Sequence, residues 1–369
     1  MIKEIYIDNF RCLVNFRIKP EQFQLWLGNN GVGKTSVFDA LRKVQRLMRG
    51  EHIQDIFSKD SLTIWDTRNV QSISLILDIS GDSYKYELKL EHLKEQDKLR
   101  IKSEKVFWNE VLFFNFDGQE AHLFRINRDT KVVEEGAYFP AGWDRSVIPT
   151  IADRDDNKPL ICFRKEIEKI LLVNPIPLVV KNSAETESQI LSRFTENFAQ
   201  WYRHLSQENP SVGHRAKAQL EDVLPGFSQL SLKQAGESRK LIASFRIENK
   251  DHDFEFMKLS DGQRQLIILY VILEALRAGI CSTLLIDEPD NFVAIREIQP
   301  WLKSLRELCD ENDQQSIIVS HHPEIINDMA RGNELWFSRK SGAHVIAKEF
   351  PKVGELPPSE IMARGWEDE

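Results

Sequence analysis

The run Gly28-Asn29-Asn30-Gly31-Val32-Gly33-Lys34-Thr35 carries the most specific chemistry in this chain. It satisfies G-x-x-x-x-G-K-[ST], the spacing of a loop that cradles the phosphates of a nucleotide. Glycines at 28, 31 and 33 let the backbone turn tightly and aim its N–H groups at phosphate oxygens. Lys34 offers a charge to the β- and γ-phosphates, and the Thr35 hydroxyl suits Mg²⁺. Asn29, Asn30, Gly31, Gly33 and Ser36 complete the candidate nucleotide contacts around that loop. A helix starting here adds the positive end of its dipole.

Two more stretches carry polar groups at the ends of apolar elements. "STLLIDEPDNF" reads as a buried strand ending in Asp287 and Glu288, which places two carboxylates at the edge of a sheet where ligands sit. Asp287 is suited to Mg²⁺, and Glu288 to orienting and polarising an attacking water. The plain alternative is a surface turn after a core strand. "KLSDGQRQLIILYVIL" reads as a second anion-binding helix start, Ser260 capping and Asp261, Gly262 and Gln263 following. By composition alone it is an ordinary capped helix.

These groups need elements to hold them. Strand-like alternation at 2–7 and 22–27 leads into the glycine loop, and 34–48 has helical spacing with Val37, Leu41, Val44 and Leu47 or Met48 on one face and Gly50 as the stop. From about 72 to 133 the pattern is β, with turn signals such as "SGDS" and "NRDT", and an antiparallel sheet is the simplest arrangement. The Pro-, Gly- and Asp-rich stretch near 140–159 reads as a long ordered loop or boundary. A helix is expected over 183–205, with Asn182 and Glu185 as a capping box. Short strands are expected over 227–257, then a buried helix from 261 to 279, a helix at 296–310, the buried strand "QSIIVS" and a helix at 324–331. Alternating strands and helices imply an α/β core.

The bulk properties agree with a globular chain. It has 369 residues, 41% hydrophobic and 29% charged, enough to bury a sizeable core. Its longest apolar run in the second half, 266–273, is too short to span a bilayer, and the N-terminus has no signal-peptide core. Cys12, Cys162, Cys281 and Cys309 lack the close pairing of a zinc site or disulfide framework and suit reduced thiols in a cytoplasmic protein. A formal charge of −8 gives no general attraction to nucleic acid, so DNA contact requires a local patch.

Taken in order, "GNNGVGKTS", "LSDGQ", "LLIDEP" and "IIVSHH" resemble an ABC-type ATPase domain. The resemblance implies an α/β fold, an ABC-type P-loop ATPase head with an antiparallel β subdomain and a compact helical insertion. It implies ATP and Mg²⁺ held between two copies head to tail, with Ser260 and Gly262 of one copy facing the γ-phosphate on Lys34 of the other. His321 matches the family's switch histidine, with His322 as the fallback. The opening "IKEIYIDNFRCLVNF" ahead of "NGVGKT" is similar to the RecF/SMC/OLD class, in which Arg11 matches a basic residue that approaches the nucleotide; a simple surface arginine is the alternative. The long separation of Lys34 from Ser260 fits that class better than a transporter motor.

The implied organisation is two halves of one head, 1–140 and 227–350, with an insertion at 141–226 and an acidic tail at 351–369. The implied function is an ATPase, a homodimer or higher oligomer, controlling a separate nuclease or toxin subunit, with possible DNA contact and no membrane, as in bacterial anti-phage defence. A RecF-type DNA-repair ATPase and, further off, a transporter motor subunit or a small-molecule kinase or GTP switch are the alternatives. One departure from the pattern stands out: after "DEP" the chain runs "DNFVAI" instead of the family's usual turn, which puts the contacts of that loop in question.

Overall fold

The computed structural model describes residues 1–93, 98–127, 130, 132–312, 314–330, 332, 334–339, 342, 344–352 and 356–366. The chain divides into two compact units, one comprising Met1–Ile170 with Gly332–Pro351 and the other Leu171–Arg331 with Lys352–Trp366.

The first unit opens with β1 (Ile2–Asp8), β2 (Phe16–Ile18) and β3 (Phe23–Gly28), then α1 (Lys34–Met48) and the short α2 (Ile53–Ile56). There follow β4 (Val70–Ile79), β5 (Asp82–Leu93), β6 (Lys98–Trp108), β7 (Val111–Phe116), β8 (Glu120–Ile126), β9 (Val133–Pro140) and α3 (Lys158–Glu168). An eight-stranded antiparallel sheet runs β2-β1-β4-β5-β6-β7-β8-β9. Strict alternation builds it: in β4, Gln71, Ile73, Leu75 and Leu77 are buried while Ser72 and Ser74 face outward. On α1 the predicted apolar stripe is buried, and the left-handed Gly50 stops the helix by donating to the Leu47 carbonyl at 3.0 Å. Gln45 ties α1 to the end of α3 by donating to the carbonyls of Ile167, Glu168 and Ile170.

The second unit contains β10 (Ile170–Val173, its first residue in the other unit), β11 (Ser183–Ala184), α4 (Phe198–Glu208) and α5 (Pro210–Val223). The hairpin strands β12 (Phe227–Ala235), β13 (Ser238–Ile247) and β14 (Lys250–Glu255) lead to α6 (Asp261–Arg277). Then come β15 (Thr283–Asp287), α7 (Ile295–Glu311), β16 (Gln315–Val319) and α8 (Pro323–Met329). The chain re-enters the first unit as β17 (Leu335–Ser338) and β18 (Ile346–Glu349), and α9 (Pro358–Arg364) belongs again to the second. β15 and β16 are parallel and buried throughout, and β17 lies parallel to β3. α6 is buried almost all round, as its sequence predicts, from Arg264 to Leu276. Among the described residues no helix is long and apolar enough to cross a membrane.

The expected helix over 183–205 is corrected. Ser183 and Ala184 pair with β13, and helix begins only at Phe198. Local side-chain bonds win over the apolar spacing: the Asn197 carboxamide accepts from Ser192 N–H at 2.9 Å and donates to Ser188 Oγ and the Ile190 carbonyl, and Thr195 is left-handed. The proposed Asn182–Glu185 capping box is absent, since Asn182 instead donates to Glu255 on β14. Phe198, Trp201, Tyr202 and Leu205 are core as expected, whereas Ile190 and Phe194 are exposed. The predicted helix at 324–331 ends at Met329; Arg331, Arg128 and Asp129 of the "NRDT" turn, and 353–355 and 367–369 of the tail lie outside the described residues.

One buried carboxyl gives the first unit a pH dependence. Glu104 is fully buried and accepts from Tyr86 Oη at 2.8 Å and Ser146 Oγ at 2.9 Å; burial outweighs these bonds and pushes its pKa up to about 7. The folded protein therefore keeps a proton that the unfolded chain loses near the ordinary value. Stability from this group is complete below the unfolded pKa and declines as pH rises to about 7, by an amount on the order of 3 kcal/mol. In thermal unfolding from pH 5 to 8, wild type should lose stability with rising pH relative to Glu104→Gln, whose difference curve flattens above the folded pKa.

Candidate functional site

In the first unit the phosphate loop hangs between β3 and α1. Gly28, Gly31 and Gly33 all have positive φ, at 139°, 77° and 111°. A Cβ on Gly28 would lie 2.4 Å from the Phe337 carbonyl oxygen, because β17 runs alongside at that register, whereas a Cβ on Gly31 would meet nothing within 4 Å. Gly28→Ala is therefore expected to lose about 3 kcal/mol of stability, and Gly31→Ala about 1 kcal/mol from backbone strain alone, in parallel thermal and chemical unfolding. Gly33 supplies the left-handed N-cap of α1, and Cys12 and Val345 close in where its side chain would be.

Lys34 is buried, and its Nζ donates to the carbonyls of Gly28 at 2.5 Å and Asn29 at 3.2 Å. The ammonium thus sits inside the loop. Asn29, Asn30 and Gly31 are exposed at the loop's crest, and Thr35 and Ser36 are half-buried on the first turn of α1. Arg11 is left-handed, its N–H donates to the Ser61 carbonyl at 2.8 Å, and its guanidinium pairs with Asp39 on α1. It is an exposed arginine, held by that ion pair beside the helix that leaves the loop.

Two residues near the loop escaped the sequence reading. Arg339, just past β17, donates to the Gly31 carbonyl at 3.4 Å and stacks 5.5 Å above the ring of Trp65. The basic "SRK" after a short apolar strand was visible; that β17 returns to lie beside β3 was not, because that pairing joins residues three hundred positions apart.

In the second unit, β15 delivers Asp287 and Glu288 at its carboxyl end. Asp287 is buried, and Glu288 turns left-handed (φ 50°) while its N–H donates to the Val319 carbonyl on β16 at 2.8 Å. The Glu288 carboxylate accepts from Asn291 Nδ2 at 2.7 Å. The unusual "DNF" sequence makes a tight turn that ends at Phe292, also left-handed (φ 73°) and 45% exposed, a conformation uncommon for a bulky residue.

That turn reaches two neighbours. Buried Gln265 of α6 donates to the Pro289 carbonyl at 3.0 Å, and a Cβ on Gly262 would come 2.9 Å from the Phe292 carbonyl oxygen. Asp290, which sequence reasoning passed over, bonds to Ser320 at the end of β16; burial raises its pKa. At the start of α6 the capping box is complete: Ser260 Oγ accepts from Gln263 N–H at 3.2 Å and Gln263 Oε1 accepts from Ser260 N–H at 3.1 Å. Asp261 pairs with Arg264.

His321 follows β16 and is half-buried. His322 is exposed and caps α8, its Nδ1 accepting from Glu324 N–H at 3.3 Å. Lys34, Thr35 and Arg11 thus belong to the first unit, while Ser260, Asp287, Glu288 and His321 share the second. Among the described residues no group of three or more His, Cys, Asp or Glu is placed to hold a metal.

Solved structures similar to this chain are heads of SMC proteins. An SMC head bound to the C-terminal winged-helix domain of ScpA shares 12% identity at a TM-score of 0.56, over 94% of this chain and 98% of that one. The SMC head from Thermotoga maritima shares 12% at 0.50, over 95% and 99%. The Pyrococcus furiosus head with an extended coiled coil shares 11% at 0.55, over 100% and 99%. At such identities the likeness is one of fold: the α/β arrangement with a large antiparallel sheet is that of an ABC-type P-loop ATPase head. No curated protein matches the chain. A family model matches residues 27–327, from the strand before the glycine loop to beyond His321, and the chain therefore belongs to the family described as "AAA domain, putative AbiEii toxin, Type IV TA system".

Proposed function

We propose that the protein is a Mg²⁺-dependent ATPase that works as a pair of copies, closing head to tail around ATP and opening on hydrolysis. The observation that carries the reading is the buried Lys34 ammonium held inside a glycine loop. Backbone N–H groups of 29–33 and Lys34 receive the phosphates, and Arg11 approaches the nucleotide from the turn after β1. Thr35 and Asp287 are the residues that would hold Mg²⁺, which would supply positive charge to the phosphates when bound. Glu288 takes the proton of the attacking water, and His321 orients the γ-phosphate.

Ser260, Asp261, Gly262 and Gln263 act on the ATP of the other copy. The cap chemistry supports this: Ser260 Oγ accepts from Gln263 N–H, so its own proton remains to donate to a phosphate oxygen. The output in this reading is control of a separate nuclease or toxin subunit in the cytoplasm, in defence against phage. The family description names a toxin and a toxin–antitoxin system, and two of the similar heads carry a bound ScpA domain, which supports a protein partner on this fold.

The head-to-tail pairing is tested by mixing two inactive variants, Lys34→Ala and Ser260→Arg. A mixed dimer restores one composite site of two, so equal mixing should return about a quarter of wild-type turnover. Turnover that stays at the level of the separate variants would sink the shared-site reading.

A further inference from the structure

In the second unit, the side chain of Asp290 reaches from the turn after β15 to the Ser320 hydroxyl at the end of β16. Three contacts hold that turn. Glu288 N–H donates to the Val319 carbonyl at 2.8 Å, and the Asp290 carbonyl accepts from Val293 N–H at 3.2 Å. Between them the Pro289 carbonyl accepts from the fully buried Gln265 at 3.0 Å. Glu288 and Phe292 take left-handed backbone at its two ends. The half-buried carboxylate is thus carried on a fixed backbone.

Ser320 is itself buried, and its Oγ accepts from His322 N–H at 3.1 Å. A side-chain oxygen bonded to the N–H two residues on closes a small turn, and His321 is the residue in its middle. A serine hydroxyl has one proton; with the oxygen accepting from His322, that proton goes to Asp290. The carboxylate therefore sets the rotation of the hydroxyl and aims its lone pairs at the His322 amide. The His322 ring is committed elsewhere, its Nδ1 accepting from Glu324 N–H at the start of α8. Burial raises the Asp290 pKa, while the bond to Ser320 and the nearby His322 work against that rise.

We propose that Asp290 is a positioning residue: by anchoring the Ser320 hydroxyl it fixes the Ser320–His322 turn, and with it the direction in which His321 is presented. The proposal rests on the ATPase reading for its consequence, the presentation of His321 to the γ-phosphate.

The test compares Asp290→Asn, which keeps an oxygen for the Ser320 proton, with Asp290→Ala, which does not, in the full chain. Without nucleotide, backbone hydrogen exchange at His322 should quicken about tenfold in Asp290→Ala and in Ser320→Ala, and stay within about threefold of wild type in Asp290→Asn. The Ala278 amide, bonded to the Glu274 carbonyl at the far end of α6, should keep its wild-type rate in all three. With ATP, Asp290→Ala should lower kcat about tenfold with KM within about threefold of wild type, and Asp290→Asn should restore most of that loss. In a His321→Ala background Asp290→Ala should have no further effect, because it acts through the residue already removed. Unchanged His322 exchange in Asp290→Ala, or an equal rise at Ala278, would overturn the anchor. Losses from Asp290→Ala and His321→Ala that multiply would overturn the positioning of His321. The exchange measurement uses no ATP, so a chain that hydrolyses none would refute the ATPase reading while exchange alone decides the anchor.

Discussion

Lys34→Ala is expected to lower ATP affinity by about 100-fold or more, because it removes the one buried positive charge inside the loop. The ammonium of Lys34 already sits inside the loop, bonded to the carbonyls of Gly28 and Asn29, where the proposed function places the phosphates. The charge is already in place, so its Coulombic attraction favours the ligand once the carbonyl bonds are exchanged. The same substitution leaves two carbonyls without their donor but also removes a buried charge. These effects oppose, so the thermal midpoint of the free protein should move by only a few degrees. Titration with a fluorescent ATP analogue, alongside thermal unfolding, separates the two. A folded variant binding ATP within threefold of wild type would remove the loop from the proposed function.

Glu288→Gln is expected to cut ATP turnover by about 100- to 1000-fold while keeping ATP affinity. The substitution is isosteric, and the amide oxygen can still accept from Asn291 Nδ2 as the carboxylate does. The left-handed backbone at 288 is imposed by its N–H bond to Val319 on β16 and by the turn that follows, neither of which needs a carboxylate. What is lost, on the proposed function, is the base that would take the proton from water. With ATP present, the variant should accumulate as a dimer in light scattering, whereas wild type cycles. Hydrolysis at the wild-type rate would exclude Glu288 as the base and turn attention to its neighbour Asp290, whose pKa burial raises.

Much of this arrangement was legible because its signals are local. Gly50 stops α1 and Ser260 with Gln263 caps α6 through contacts within four residues, so the letters alone specify them. The alternation in 72–78 and the continuous apolar run at 284–286 report which faces are buried, and the sheets follow. The failure at 183–205 shows the limit: helical spacing was present, but Asn197, Ser188 and Ser192 offered competing bonds that no periodicity reveals. The unusual "DNF" after the carboxylates was visible as a departure. Its geometry, with Glu288 and Phe292 both left-handed and the Phe292 carbonyl against Gly262, was not.

The sequence by itself determined the phosphate loop, the capped helix at Ser260 and the two carboxylates after a buried strand, since each is set by residue type and short spacing. Only the tertiary structure decided that β17 returns beside β3 to bring Arg339 over the loop, and that Gln71 joins Asn9, Ser61 and His92. Those contacts join positions distant along the chain, and what selects them is the packing of whole sheets, a sum of many weak terms that no short stretch encodes.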